Sequence, residues 1–165
     1  MLREVAIKDG AGDLLGAAIP RVTIVKDGNY SADAHDSGIE READLIAQIE
    51  GNLREAPLAG LVVEGQSPYG SMTNDMRERL TRRAVFSGMP VARVGRGNNE
   101  GFSGGTPVFI GGGNLTATKA RLLLMACLMK LGALPPAGDP DNPSEAERAA
   151  TTQAIAAWQE IFDTH

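Results

Sequence analysis

The chain has 165 residues, 42% of them apolar and 22% charged, which is enough for one globular domain with a buried core. Its net charge of −5 argues against a general nucleic-acid or membrane-surface binder, because both need a positive field. The single cysteine, Cys127, excludes an internal disulfide and a multi-cysteine metal site. No apolar leader follows Met1 and no apolar window of about 18 residues occurs, so we expect a cytoplasmic protein without a membrane span.

The first part of the chain predicts a small hairpin, a strand and a helix. Residues 1–20 have two short arms, 4–7 and 14–18, around a Lys-Asp-Gly turn, with too few apolar residues for a core of their own. Residues 21–26 form an apolar run that ends at a turn, which predicts a strand. Residues 36–55 carry apolar side chains at helical spacing and predict an amphipathic helix.

The middle of the chain alternates between strand and helix. Residues 60–65 are apolar on successive positions, as expected of a strand that is covered on both faces. A helix of about sixteen residues is predicted from Met72, with Gly88 as its stop signal. Residues 91–95 and 108–111 are two further predicted strands.

Two helices are predicted in the last third. The first spans residues 114–132 with Asn114 as its N-cap, and because 122–129 is apolar all round, we expect it to be buried in protein. A loop rich in proline and glycine follows. The second helix spans 144–162 and opens with Ser-Glu-Ala-Glu, the pattern of a capping box.

This order of elements predicts an α/β fold: a single three-layer domain with a four-stranded parallel sheet flanked by helices, flavodoxin-like or Rossmann-like. Residues 1–20 precede the domain, which spans 21–165. Ligands of such sheets lie beyond the carboxyl ends of the strands. Eleven of the 20 glycines lie in the four loops at those ends, at 27–35, 65–71, 95–106 and 111–114.

Two of these loops carry candidate binding residues. The loop after the second strand could hold an anion or a polar small molecule with its hydroxyls and amide, or could be a capped turn. Its polar residues are Gln66, Ser67, Tyr69 and Ser71. The long glycine-rich loop after the third strand offers Arg96, Asn98, Asn99 and Glu100. Three successive glycines occur at 111–113. The favoured explanation for them is a close approach between a helix and a strand, and anion binding is the alternative.

No catalytic residue, metal site or cofactor is predicted. The chain has no Walker loop and no Gly-x-Gly-x-x-Gly after a strand. His35, Asp33 and Asp36 could together ligate one metal ion, but two carboxylates and a histidine within four residues arise easily by chance. Cys127 is interpreted as a small apolar filler of its helix rather than a nucleophile. The arginine-rich stretch 77–96 admits three interpretations: a phosphate site, a solvated helix face, or a partner for the chain's own acidic stretch 139–163.

Residues 114–130, NLTATKARLLLMACLMK, resemble the Leu-Asn-Pro-x-Lys-Ala-Arg-x-Leu-Leu segment of the bacterial-type, two-domain L-asparaginases. Other stretches are similar to the same family in the same order, namely 2–20 (the interdomain linker), 21–26, 59–65, 88–96 and 158–165. The resemblance covers nearly the whole chain and only the C-terminal half of the family's architecture. The stretch 134–150 departs from the family's pattern.

The resemblance implies a C-terminal domain without its own nucleophile. The family's catalytic threonines lie in Thr-Gly-Gly-Thr and Gly-Thr-Asp-Thr motifs of the N-terminal domain; Gly-Thr-Asp-Thr is absent here, and the string 103–106 (SGGT) lies too late in the chain to be the first motif. The implied partners are that catalytic domain in the parent chain, an amino-acid amide substrate, and further copies in a dimer or tetramer.

In this family the C-terminal domain lends polar residues to a neighbouring subunit's active site. The resemblance implies that Gln66, Ser67, Tyr69 or Ser71 replaces the family's asparagine, and that Glu100 is the counterpart of an acidic residue in the next loop. Two alternatives remain open. One is a free-standing flavodoxin-like module that binds a small molecule, and the other is an assembly domain whose arginine-rich and acidic stretches pair across an interface.

Overall fold

The computed structural model describes residues 4–27, 58–66, 69–72, 75–97 and 102–165. Its strands are β1 Val22–Lys26, β2 Gly60–Gly65, β3 Val91–Gly95 and β4 Ile110–Gly111. Its α-helices are α1 Asp75–Phe86, α2 Ala117–Leu131 and α3 Glu145–Asp163. The predicted helix at 36–55 lies outside the described residues. Among the helices described, none has the length and apolar character needed to cross a bilayer.

The strands form one parallel sheet in the order β1-β2-β3-β4. Val25 pairs with Val63 and Val63 with Arg93, so the carboxyl ends of β1, β2 and β3 meet at one edge. The predicted α/β class with a parallel sheet is therefore confirmed. β4 is shorter than predicted: the segment before Ile110 bends instead of continuing the ladder.

Helices cover both faces of the sheet. On one face, a Cβ at Gly60 would lie 3.2 Å from a Leu124 methyl, so α2 lies directly over β2. On the opposite face, Asp27 contacts Arg77 and Arg93 contacts Glu78, both of α1. Because side chains alternate along a strand, β2 is apolar on both sides and all six of its residues are at least partly buried. The chain is a three-layer domain.

The core lies between the sheet and the two helices that cover it. Its fully buried side chains include Val62, Val91, Val94 and Leu124. Burial of each such aliphatic side chain is worth about 1.5–3 kcal/mol relative to leaving it in water. Ile155, Trp158 and Phe162 of α3 are buried in the same core, so the sheet, α2 and α3 all contribute to it.

α2 differs from its prediction in two ways. Its N-cap is Thr116, whose hydroxyl accepts from the Lys119 N–H, because Asn114 is still in the turn after β4. The helix is also buried on one face only: Leu124 and Leu128 face the sheet, whereas Leu122 is 62% exposed. The expectation of burial on every side is wrong because α2 is an outer layer.

The N-terminal hairpin is smaller than predicted. Lys8 and Leu14 form one antiparallel bridge around a tight turn, and the second arm becomes a short 3-10 helix at Gly16–Ala18. Met72, the predicted start of α1, is not helical; residues 73–74 lie outside the described residues, and the described helix is Asp75–Phe86. In α3 the predicted capping box is confirmed, with Ser144 accepting from the Glu147 N–H and Glu147 accepting from the Ser144 N–H.

Candidate functional site

Arg96 joins the carboxyl ends of β1 and β2. Its backbone N–H donates to the Gly65 carbonyl at 3.0 Å, and its guanidinium donates to the Asp27 carbonyl at 2.6 Å. The same guanidinium lies 3.7 Å from the Glu64 carboxylate, and its side chain remains 48% exposed. Arg96 is thus a clamp on the strand ends that still presents part of its charge to solvent.

Gln66 and Ser71 pair in an antiparallel bridge at the end of β2. The Gln66 N–H donates to the Ser71 carbonyl at 2.9 Å, and the Gly70 N–H donates to the Gln66 carbonyl at 2.8 Å. Gly70 has a φ of +71°, which only glycine adopts without strain. Tyr69 is 69% exposed at the tip, where its ring and hydroxyl can reach a ligand or a partner. Ser67 lies outside the described residues.

Ser103 lies with Gln66, Tyr69, Ser71 and Arg96 at the carboxyl ends of the strands, and we call this group of residues the rim. Ser103 is the one member of the rim that was not predicted. Its backbone exchanges two hydrogen bonds with Gly113, at 3.1 and 3.0 Å, which places it beside the end of β4. Its side chain is buried, and its hydroxyl has no hydrogen-bond partner within the described part of the chain. A Cβ at Gly70 would lie 2.8 Å from that hydroxyl, so Ser103 borders the turn after β2. The available signal was a small polar residue followed by two glycines.

A buried ion pair lies under the rim. Asp27, directly after β1, contacts Arg77 of α1, and both side chains are almost fully enclosed. In the sequence, Asp27 lies in the turn after residues 21–26 and Arg77 opens the arginine-rich stretch 77–96. Only the fold shows that the two meet, because 50 residues separate them along the chain.

The glycines after β4 are explained by close backbone contacts. A Cβ at Gly111 would overlap the backbone of 103–105, and one at Gly112 would lie 2.9 Å from the Arg93 carbonyl. The close approach expected there is present, but the approaching segments are that loop and β3, not a helix. At these positions, the backbone segments beside the rim can pack this closely only because glycine has no Cβ.

Cys127, the single cysteine of the chain, is buried in α2. Burial raises the pKa of the Cys127 thiol to about 11, so it is not a nucleophile at neutral pH. In the ranges that the structure describes, no three histidine, cysteine or carboxylate side chains group as metal ligands. Asn98, Asn99, Glu100 and the His35 cluster lie outside those ranges. What the rim offers is hydrogen-bond donors and acceptors from Gln66, Tyr69, Ser71, Arg96 and Ser103.

Arg93 occupies the space between β3 and α1. Its guanidinium carbon lies 3.5 Å from the centre of the Phe109 ring, a cation–π contact, and one nitrogen lies 3.5 Å from the Glu78 carboxylate. Burial lowers the pKa of Arg93, and Glu78 acts in the opposite direction. This arginine fills the layer between sheet and helix rather than facing the rim.

Comparison with known proteins supports the fold. No family model matches the chain, and no curated protein matches it. Among solved structures, it is similar to a probable cytoplasmic L-asparaginase from Campylobacter jejuni, with 21% identity over 87% of this chain and a TM-score of 0.52. The chain spans 36% of the length of that asparaginase. The chain thus shares the fold of part of an L-asparaginase.

Proposed function

We propose that this chain is the C-terminal domain of an asparaginase-like amidohydrolase. The observation that carries the proposal is the fold shared with part of the Campylobacter asparaginase over 87% of the chain. In the complete enzyme, a threonine of the N-terminal domain would attack a side-chain amide, releasing ammonia and leaving an acyl-enzyme that water hydrolyses.

In this proposal the rim contributes contacts to substrate in an active site that another subunit completes. The contributing residues are Gln66, Ser67, Tyr69, Ser71, Arg96, Asn98, Asn99 and Glu100. Tyr69 and Arg96 fit this role best among the described residues, because each keeps a polar group accessible. A dimer or tetramer and a cytoplasmic location belong to the same proposal.

Ammonia release tests the proposal directly. The purified 165-residue chain is incubated with asparagine and with glutamine, and we expect no release above the buffer rate. Turnover by this chain alone would contradict the assignment of the nucleophile to another domain. Adding a catalytic half with the two threonine motifs should give activity, and Tyr69→Ala should then raise KM more than Leu122→Ala, a surface change on α2.

A second function is favoured by the Ser103 hydroxyl. A buried hydroxyl without a partner is expected to bind something, so the chain could be a flavodoxin-like module whose small polar ligand reaches Ser103 past the Gln66–Ser71 turn. A thermal-shift screen with amino acids, nucleotides and flavins tests this: a ligand at about 100 times its Kd stabilises the fold by about 2.7 kcal/mol. Saturable stabilisation that Ser103→Ala abolishes would favour the binding module. If no ligand raises the Tm, the second function is contradicted.

A further inference from the structure

Four arginines line one cleft at the end of α1. Arg79, Arg82 and Arg83 follow each other at i, i+3 and i+4 on α1, and Arg148 joins them from α3. The cleft has a volume of about 180 Å³ and an apolar floor that includes the buried Phe86. Its remaining lining residues are Pro140, Asp141 and Pro143.

Within the described residues, one carboxylate lines this cleft. Asp141 is the one carboxylate among the lining residues, and it lies 3.5 Å from Arg83 with both side chains largely exposed. Arg148 donates from Nε to the Pro143 carbonyl at 2.9 Å, which fixes its direction without offsetting its charge. In the ranges the structure describes, no carboxylate lies within 4 Å of Arg79 or Arg82. Among the lining residues that the structure describes, four positive groups therefore face one negative group.

Local structure offsets only part of the repulsion in this cleft: Asp75 and Glu78 stand four residues before Arg79 and Arg82 on α1. The contacts among the arginines themselves remain unfavourable. Like charges at i, i+3 and i, i+4 destabilise a helix by a few tenths of a kcal/mol each. Arg83, in the last turn of α1, interacts favourably with the negative end of the helix dipole. Arg148 is in the opposite position, near the start of α3, where the dipole disfavours a cation. An anionic ligand would offset both the repulsion and the dipole term.

We propose that this cleft binds the phosphate groups of a small phosphorylated ligand. Guanidinium groups bind phosphate oxygens in pairs of parallel hydrogen bonds, and a tetrahedral dianion accepts them from several directions at once. The volume suits one or two phosphate groups and is below the roughly 300–1,000 Å³ of a pocket for a drug-sized ligand.

The cleft is separate from the rim at the strand ends. It lies by the last turns of α1, where the Phe86 carbonyl accepts from the Ala137 N–H before β3 begins. The rim instead follows the carboxyl ends of the strands, at the other end of the sheet. Phosphate binding here does not depend on the proposed amidohydrolase role, and either can fail without the other.

Titration calorimetry tests the proposal. The chain is titrated with pyrophosphate and with orthophosphate, and NaCl keeps the ionic strength constant. We expect saturable binding of pyrophosphate to the chain, at least tenfold weaker in the double variant Arg79→Gln/Arg82→Gln. Arg121→Gln, an exposed arginine of α2, is the matched control and should bind as tightly as the unmodified chain. Asp141→Asn should bind several-fold tighter, because it removes the carboxylate that competes for Arg83.

Three results would overturn the proposal. They are an absence of saturable binding, an equal loss in Arg121→Gln, or unchanged binding in a double variant whose circular dichroism shows it to be folded. Light scattering measures the oligomeric state of the double variant and of the unmodified chain. If the double variant has a different oligomeric state and pyrophosphate does not change that of the unmodified chain, the arginines form contacts between copies instead.

Discussion

At the scale of single residues, the rim depends on positions where the backbone leaves no room for a side chain. Gly65 is the clearest case, because a Cβ there would overlap the Gly70 carbonyl group and approach Ser71. The turn that displays Tyr69 can therefore close over β2 only with glycine at this position. At Gly104, by contrast, an added Cβ would have no other heavy atom within 4 Å.

We expect Gly65→Ala to open the turn between Gln66 and Ser71 and to destabilise the fold by several kcal/mol, since backbone atoms cannot retreat as a flexible side chain can. Urea denaturation measures the loss, and amide exchange of the Gln66 and Gly70 N–H groups locates it. Gly104→Ala is the control and should change the free energy of unfolding by less than about 0.5 kcal/mol. Equal stability of the two variants would contradict the close contact.

At the scale of elements, the start of α3 shows most clearly a local interaction that can be predicted from the sequence. Glu147 accepts from the Ser144 N–H and hydroxyl and from the Gly138 N–H, each at 2.7 Å. The Gly138 and Ser144 hydrogen bonds lower the pKa of the Glu147 carboxyl to about 2. The capping box was predictable because it involves four consecutive residues, whereas the Gly138 contact needs the preceding loop to fold back.

The lowered pKa of Glu147 predicts a pH dependence of stability. Because an unfolded glutamate titrates at about 4.3, the carboxylate's contribution is fully present above that pH and is lost as the pH falls toward 2. The difference in Tm between the unmodified chain and Glu147→Gln should be constant from pH 6 down to about pH 5 and should shrink below it. Glu160→Gln, near the other end of α3, controls for net charge. A difference that stays constant down to pH 2 would refute the assignment.

At the scale of the whole molecule, α3 closes the β4 edge of the sheet. The Gln159 side chain accepts from the Gly111 N–H at 2.7 Å and donates to the Gly111 carbonyl at 3.1 Å, as a neighbouring strand would. An uncovered edge offers unpaired backbone groups to another chain. One amide side chain therefore replaces a fifth strand along this short edge.

Gln159→Ala should uncover that edge. Loss of both partners of the buried Gly111 backbone is expected to lower the free energy of unfolding by about 1–3 kcal/mol. We also expect association that increases with protein concentration in light scattering, because β4 would then be free to pair. Gln153→Ala, at an exposed position of α3, should do neither. A monodisperse Gln159→Ala variant of full stability would show that the edge needs no cover.

The strands were largely predictable, and parts of the helices and the site were not. β2 was predicted at its observed bounds because a strand buried on both faces must be apolar at successive positions. The N-cap of α2 was misplaced by two residues, since Asn114 and Thr116 are both good caps and only the turn after β4 decides between them. Ser103 was missed because its burial comes from glycines at 70 and 113, which are distant in sequence.

The sequence by itself determined the order of the described strands and helices and the parallel sheet, and it predicts the glycine-rich loops as the place for a site. These follow from side-chain periodicity and turn chemistry, which are properties of neighbouring residues. Only the tertiary structure decided that Arg96 clamps two strand ends, that Asp27 meets Arg77, and that four arginines from α1 and α3 share one cleft. Each of these joins residues far apart along the chain, and their distances are set by how the layers pack.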